Sequence, residues 1–273
     1  MKKIIIAVFF MVFCGCALFA ANTPREAAAF IKDNYGDAFV NVKTEAVIAM
    51  TLMVYGEMHK DEISDKFITI SATIVSPDGT AVAALSTADV NRIYTSQVNM
   101  LSETSQGVDM QIIDVNVSLQ KMVYVLNDGS EIPVEVVYRD EAKDIAVLKP
   151  VGNPNRTFTH IDIADAIVPE ILDPIIFPVQ SIAELGYPLV MVESKIIGKT
   201  NTPYPMYITD FNGLTLLNGV TCFSLDGKFI GMLTDFNLNI EKDGGFFVYP
   251  AAGGNVLVLT TAADIYEAVK NVN

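Results

Sequence analysis

The chain of 273 residues has no tryptophan, two histidines and three cysteines, and its 18 lysines and arginines face 32 acids. Each shortage excludes something. A formal net charge of −14 leaves no basic surface on which a phosphate backbone could be held, so nucleic acid is not an expected partner. Two of the cysteines, Cys14 and Cys16, lie inside an N-terminal apolar segment. If that segment is removed, Cys222 is the sole thiol and no internal disulfide can form, so stability must come from a hydrophobic core. No apolar run reaches the roughly 20 residues of a membrane-spanning helix, and no span is expected. A glycine-rich phosphate loop and a dinucleotide fingerprint are both missing, and no cofactor is expected.

What is there begins with an export signal. Lys2 and Lys3 precede the apolar run Ile4 to Phe13, and small residues lead to Ala20 and Ala21. The reading is a signal peptide over residues 1–20 and a periplasmic or secreted protein. The alternative is a lipoprotein with a lipid anchor at Cys16. The acidity fits a soluble exported protein.

After the signal, Thr23-Pro24-Arg25-Glu26 combines a capping threonine, a first-turn proline and an early acid ahead of Ala27 to Ile31, which predicts a short helix stopped at Gly36. From there the pattern is of strands, at 39–42, 67–70, 72–75, 122–126, 134–138 and 145–148, then 175–179, 189–192, 206–208, 229–233 and 246–248. Turn signals separate them: Ser76-Pro77-Asp78-Gly79, Asn127-Asp128-Gly129-Ser130 and Ser224-Leu225-Asp226-Gly227. Short strands joined by Asp-Gly turns predict an all-β barrel or sandwich. Val151 to Asn155 divides the chain into a first unit at 37–152 and a second at 156–273. Apolar spacing at Ile265, Ala268, Val269 and Val272 predicts a C-terminal helix packed on the second unit. No internal repeat is apparent. Residues 91–120, with weak hydrophobic periodicity, read as an insertion suited to a lid or partner-binding loop.

Three stretches, in order, carry a resemblance. They are Ala72 to Gly79 (ATIVSPDG); Leu126 to Gly129 with Val136 to Asp140 and Asp144 to Lys149 (DIAVLK); and Ser224 to Gly231 (SLDGKFIG) followed by Gly245 to Pro250. Together they resemble the protease domain of the Deg/HtrA group of trypsin-like serine proteases, without a PDZ domain. The resemblance covers roughly residues 38 to 260. It implies two six-stranded antiparallel β-barrels with an active site in the cleft between them.

The resemblance also implies a catalytic triad, and this sequence departs from it twice. Asp144 falls on the aspartate position. Counting from the Pro-Asp-Gly turn, the histidine position falls on Ser86; a gapped match puts it on Asp89. Neither His59 nor His160 can reach that position by a small shift. Ser86 is favoured because its hydroxyl could donate to the Asp144 carboxylate, whereas Asp89 would set two carboxylates together. The nucleophile position falls on Asn218, within Leu216-Leu217-Asn218-Gly219-Val220, and of the glycines that shape the family's oxyanion loop only Gly219 remains. Asn218 carries no nucleophilic oxygen.

Other groups read blandly. Cys222 is expected to be a buried, inert thiol. Gly56 to Glu62, with His59, is expected to be a solvated loop, and His160 with Asp162 would share a strand face without a third metal ligand, so no metal is expected. Ser181, Ser194 and Thr200 have no identifiable base, and Met50, Met53 and Met58 read as gap fillers.

The expected function is therefore an exported pseudoprotease that binds a polypeptide or an envelope protein in the inter-barrel cleft. An active serine endopeptidase with a rearranged site and a structural envelope protein are the alternatives. The signal reading makes its own prediction: the mature protein should begin after Ala20 and extract into buffer, as intact mass and detergent partition would establish.

Overall fold

The computed structural model describes residues 23–91, 110–181, 186, 188–211, 218–237 and 255–272. The expected N-terminal signal, Leu216 and Leu217 before Asn218, the segment 245–250 and the first part of the expected 91–120 insertion lie outside the described residues.

Helix α1 spans Pro24–Tyr35 and is built as its signals predict. The Thr23 hydroxyl accepts from the Glu26 N–H at 3.3 Å, proline occupies the first turn, and Ala27 and Ile31, four apart, form the buried stripe. A 3₁₀ turn at Gly36–Ala38 leads into the first barrel.

Six strands close that barrel: β1 (Phe39–Val54), β2 (Glu57–Ile74), β3 (Ala81–Ala84), β4 (Met110–Val125), β5 (Glu131–Asp140) and β6 (Ile145–Pro150), in the order β1-β2-β3-β6-β5-β4. The one-turn helix α2 (Leu85–Ala88) follows β3. The second barrel orders β7 (Pro174–Gln180), β8 (Leu189–Thr200), β9 (Met206–Thr209), β10 (Thr221–Ser224), β11 (Phe229–Asn237) and β12 (Asn255–Thr261) as β10-β11-β12-β9-β8-β7. Every described pairing is antiparallel. Helix α3 (Ala262–Lys270) ends the described chain, capped by the Thr261 hydroxyl and buried through Ile265, Ala268 and Val269. No described helix is long and apolar enough to cross a membrane.

Several readings change. The first-barrel strands are longer than predicted: β1 has 16 residues and β2 has 18, because pairing continues past the barrel to a tight turn at Tyr55 and Gly56. Residues 57–62 are therefore paired strand rather than loop, with His59 opposite Leu52. Residues 110–120 of the expected insertion belong to β4 and pair along the same extension of β1, from Val54↔Met110 to Ala46↔Leu119. Alternating apolar and polar residues sustain a strand outside a barrel as well as within one, so periodicity alone does not mark where closure ends. His160 and Asp162 lie in the irregular connection between barrels, not on a strand; the Asp162 carboxylate caps a 3₁₀ turn at Ile163–Asp165 by accepting from the Ala164 N–H at 2.9 Å.

The two barrels share one apolar core. Ile74, Tyr124 and Leu148 of the first, Phe223, Phe229 and Met232 of the second, Ile31 of α1 and Ile265 of α3 belong to a single cluster of buried side chains. Phe223 sits at the junction: its ring meets Phe39 edge-on at 5.9 Å, Phe229 at 5.9 Å and Tyr35 in a stack at 6.1 Å. A second cluster, with Phe177, Ile196, Cys222 and Leu259, fills the second barrel.

Within that second barrel β11 and β12 approach closely at Gly231, where a Cβ would run into the carbonyl oxygen of Thr260. A backbone oxygen paired in a ladder cannot move aside as a flexible side chain does. Gly231→Ala should lower stability by about 2–3 kcal/mol through overpacking, read as a fall in the urea midpoint.

Candidate functional site

Asp144 occupies the turn between β5 and β6, immediately before β6 begins, in the left-handed region at φ 57°. Aspartate tolerates that conformation better than most residues. Its backbone carbonyl accepts the Leu85 N–H at 3.0 Å, which brings α2 against the turn. The side chain, 1% exposed, then meets Ser86 twice: Oδ1 accepts the Ser86 backbone N–H at 2.6 Å and Oδ2 accepts the Ser86 hydroxyl at 2.7 Å. Oδ2 also accepts the backbone N–H of Asp235, on β11 of the second barrel, at 2.9 Å.

Asn218 approaches from the second barrel. Its Nδ2 donates to Ser86 Oγ at 2.6 Å, and the residue is 3% exposed. The three residues singled out in the sequence therefore form one chain, Asn218 to Ser86 to Asp144. The Ser86 hydroxyl spends its one proton on Asp144 and a lone pair on Asn218. Asn218 Oδ1 is buried and has no hydrogen-bond partner among the described residues.

Gly219 explains how Asn218 comes so near. With φ at +90° it turns the chain as side-chain-bearing residues rarely can, and a Cβ there would sit 3.0 Å from the Ser71 carbonyl oxygen and 3.1 Å from the Ala84 nitrogen, both in the first barrel. Its N–H donates to Leu233 O at 2.8 Å, so this turn is latched to β11.

Further bonds cross the same seam. The hydroxyls of Thr73 and Thr221 lie 3.0 Å apart in a buried contact, and Lys143, next to Asp144, donates to Asp264 of α3 at 2.6 Å. That contact with Asp264 holds the Lys143 amine above its ordinary range. Tyr204 is pushed up to about 12, first by burial and then by the nearby carboxylates, Asp144 foremost.

The remaining candidates stand elsewhere. Asp89 pairs with Arg139 at 2.8 Å on the surface, away from the chain of three. His59 is exposed on β2, and His160 is half-buried with Nδ1 3.3 Å from the Phe158 carbonyl. Cys222 is fully buried on β10, and burial pushes its thiol well above the ordinary range. Ser194 donates to Asp210 at 2.7 Å, a pair sixteen residues apart that no motif announced. Ser181 gives its carbonyl to Asn41 and Thr200 accepts the Thr202 N–H, so neither faces a base in these contacts. Among the described residues no group of three or more histidine, cysteine, aspartate or glutamate side chains is placed to hold a metal ion.

Sequence reasoning did not find two participants. The Asp235 N–H is a backbone donor, invisible to residue type, and the Thr73–Thr221 pair joins residues 148 apart.

No family model and no curated protein sequence matches the chain. Among solved structures, it is similar to a serine endoprotease from Yersinia pestis, with a TM-score of 0.54 and 13% sequence identity. The match covers 92% of this chain and 66% of that one, just under two thirds of its length. At that identity the likeness is one of fold, and with the two closed six-stranded barrels it gives the chain a trypsin-like protease fold.

Replacing Asp144 tests the cluster. In Asp144→Asn one amide group must face the N–H of either Ser86 or Asp235, leaving a buried donor unpaired. The expected cost is about 2–4 kcal/mol in urea unfolding, against about 1 kcal/mol for Ser86→Ala.

Proposed function

We propose that this chain is an exported pseudoprotease: a trypsin-like scaffold without the chemistry, which binds an extended polypeptide segment or an envelope protein at the cleft between its barrels. The observation that carries this reading is the Asn218–Ser86–Asp144 hydrogen-bond chain. Acyl transfer needs a nucleophile with a base beside it and donors aimed at the developing oxyanion. Asn218 offers a carboxamide where a nucleophilic oxygen would be required. Ser86 offers a hydroxyl where a proton-accepting ring would be required, with its proton directed at Asp144.

No other described group supplies the missing parts. Both histidines lie on elements outside the cluster, and the Cys222 thiol is sealed in the second barrel with its ionisation opposed by burial. In a serine protease of unrelated fold that uses the same triad, loss of either the nucleophile or the histidine alone costs roughly a million-fold in turnover, and the losses do not add.

Polypeptide binding is the use that a barrel edge retains when catalysis is gone, because it draws on backbone hydrogen bonds rather than reactive groups. Strand β11 is the candidate edge, with its Leu233 and Asp235 N–H groups already donated to Val220 O and to Asp144 Oδ2. One side pairs with β12 from Gly231 to Asn237, while pairing with β10 ends at Met232. Past Leu233, among the described residues, no strand lies along the second side, where the Asp235 N–H reaches Asp144. The export signal supports an extracytoplasmic place of action, in the periplasm or outside the cell.

Purified mature protein should not hydrolyse casein or mixed peptides above a buffer control, and Asn218→Ala should leave that background unchanged. Turnover that disappears in Asn218→Ala would establish an active enzyme and end this reading.

A further inference from the structure

Asn218 precedes Gly219, and asparagine before glycine is the dipeptide most prone to lose its side-chain amide in water. The chemistry is internal. The Gly219 nitrogen gives up its proton and bonds to Asn218 Cγ; the Cγ–Nδ2 bond breaks, and ammonia leaves carrying that proton. The resulting succinimide takes up one water and opens to aspartate or isoaspartate. No oxidant or reductant is involved.

The reaction requires a glycine nitrogen free to attack and a carboxamide free to swing toward it. Both are held here. The Gly219 N–H is donated to Leu233 O at 2.8 Å, Asn218 Nδ2 is donated to Ser86 Oγ at 2.6 Å, and the turn is pressed against Ser71 and Ala84 of the other barrel. Only Oδ1 is unengaged among the described contacts, and it is buried.

We propose that Asn218–Gly219 is a modification site gated by the seam between the barrels: it stays intact while the seam is closed, deamidates when the seam opens, and then prevents the seam from closing again. The last step follows from donor counting. An aspartate at position 218 has no N–H for Ser86 Oγ, whose single proton is already on Asp144. It also brings a second carboxylate into a site where Asp144 is 1% exposed, a pairing of like charges that low polarity makes costly. Isoaspartate adds a methylene to the main chain next to Gly219, where even a single added Cβ would sit 3.0 Å from Ser71 O. The modification therefore records that the barrels have separated.

The test is peptide mapping by mass spectrometry after incubation in mildly alkaline buffer, following the gain of about 1 Da on the peptide containing Asn218. Native protein should deamidate at least roughly tenfold more slowly than the same protein in unfolding urea, because the reactive form is reached only by local opening. Ser86→Ala, which removes the acceptor for the Asn218 amide, should speed the native-state reaction severalfold. Thr73→Val, which weakens the seam without touching Asn218, should do the same and serves if Ser86→Ala does not fold. Asn218→Asp should unfold at lower urea than wild type. Equal rates in native and unfolded protein, native rates unmoved by both seam variants, or an Asn218→Asp protein as stable as wild type would each overturn the proposal.

Discussion

The Asp144 carboxylate is the group on which the meeting of the two barrels depends. It sits in a left-handed turn of the first barrel, accepts two bonds from Ser86 on α2, and accepts a third from the β11 backbone of the second barrel. A buried carboxylate is costly unless donors surround it, and these donors come from two elements, α2 and β11, that are separate from the turn carrying Asp144. Position the turn, the helix and the strand differently and the carboxylate is left uncompensated. Satisfying it therefore constrains where all three lie.

That constraint extends to the neighbouring positions. A hydroxyl can give one proton and still accept, so Ser86 fits between a carboxylate on one side and the Asn218 carboxamide on the other. The chain of bonds crosses from one barrel to the other and back, alongside the Thr73–Thr221 contact and the Lys143–Asp264 pair. The shared apolar core around Phe223 supplies the area beneath it. In this trypsin-like fold, Asn218, Ser86 and Asp144 thus help to join the two barrels.

Much of this was legible along the chain. The Thr-Pro-Arg-Glu start of α1, the Asp-Gly turns, the two halves and the spacing of α3 all rest on local backbone preferences that act wherever the segment is placed. The Ser86–Asp144 contact was anticipated through the family resemblance, which placed the two residues on neighbouring positions, and a hydroxyl can donate to a carboxylate. The lengths of β1, β2 and β4 were not, since the same alternation describes a strand inside a closed barrel and one extended beyond it. His160 and Asp162, two apart with strand-like spacing, sit instead in the connection between barrels, where the Asp162 side chain spends itself on the chain's own turn.

The sequence by itself determined the all-β class, the turns, the lack of a histidine near Asp144 and the carboxamide at position 218, because these follow from residue type and short-range geometry. Only the tertiary structure decided that Asn218 reaches Ser86 across 132 residues, that a backbone N–H of β11 completes the Asp144 site, and that Asn218 Oδ1 is buried without a described partner. Those depend on how two barrels dock. Docking is set by a shared core and by donors and acceptors distant in the chain, and no local pattern encodes their distances.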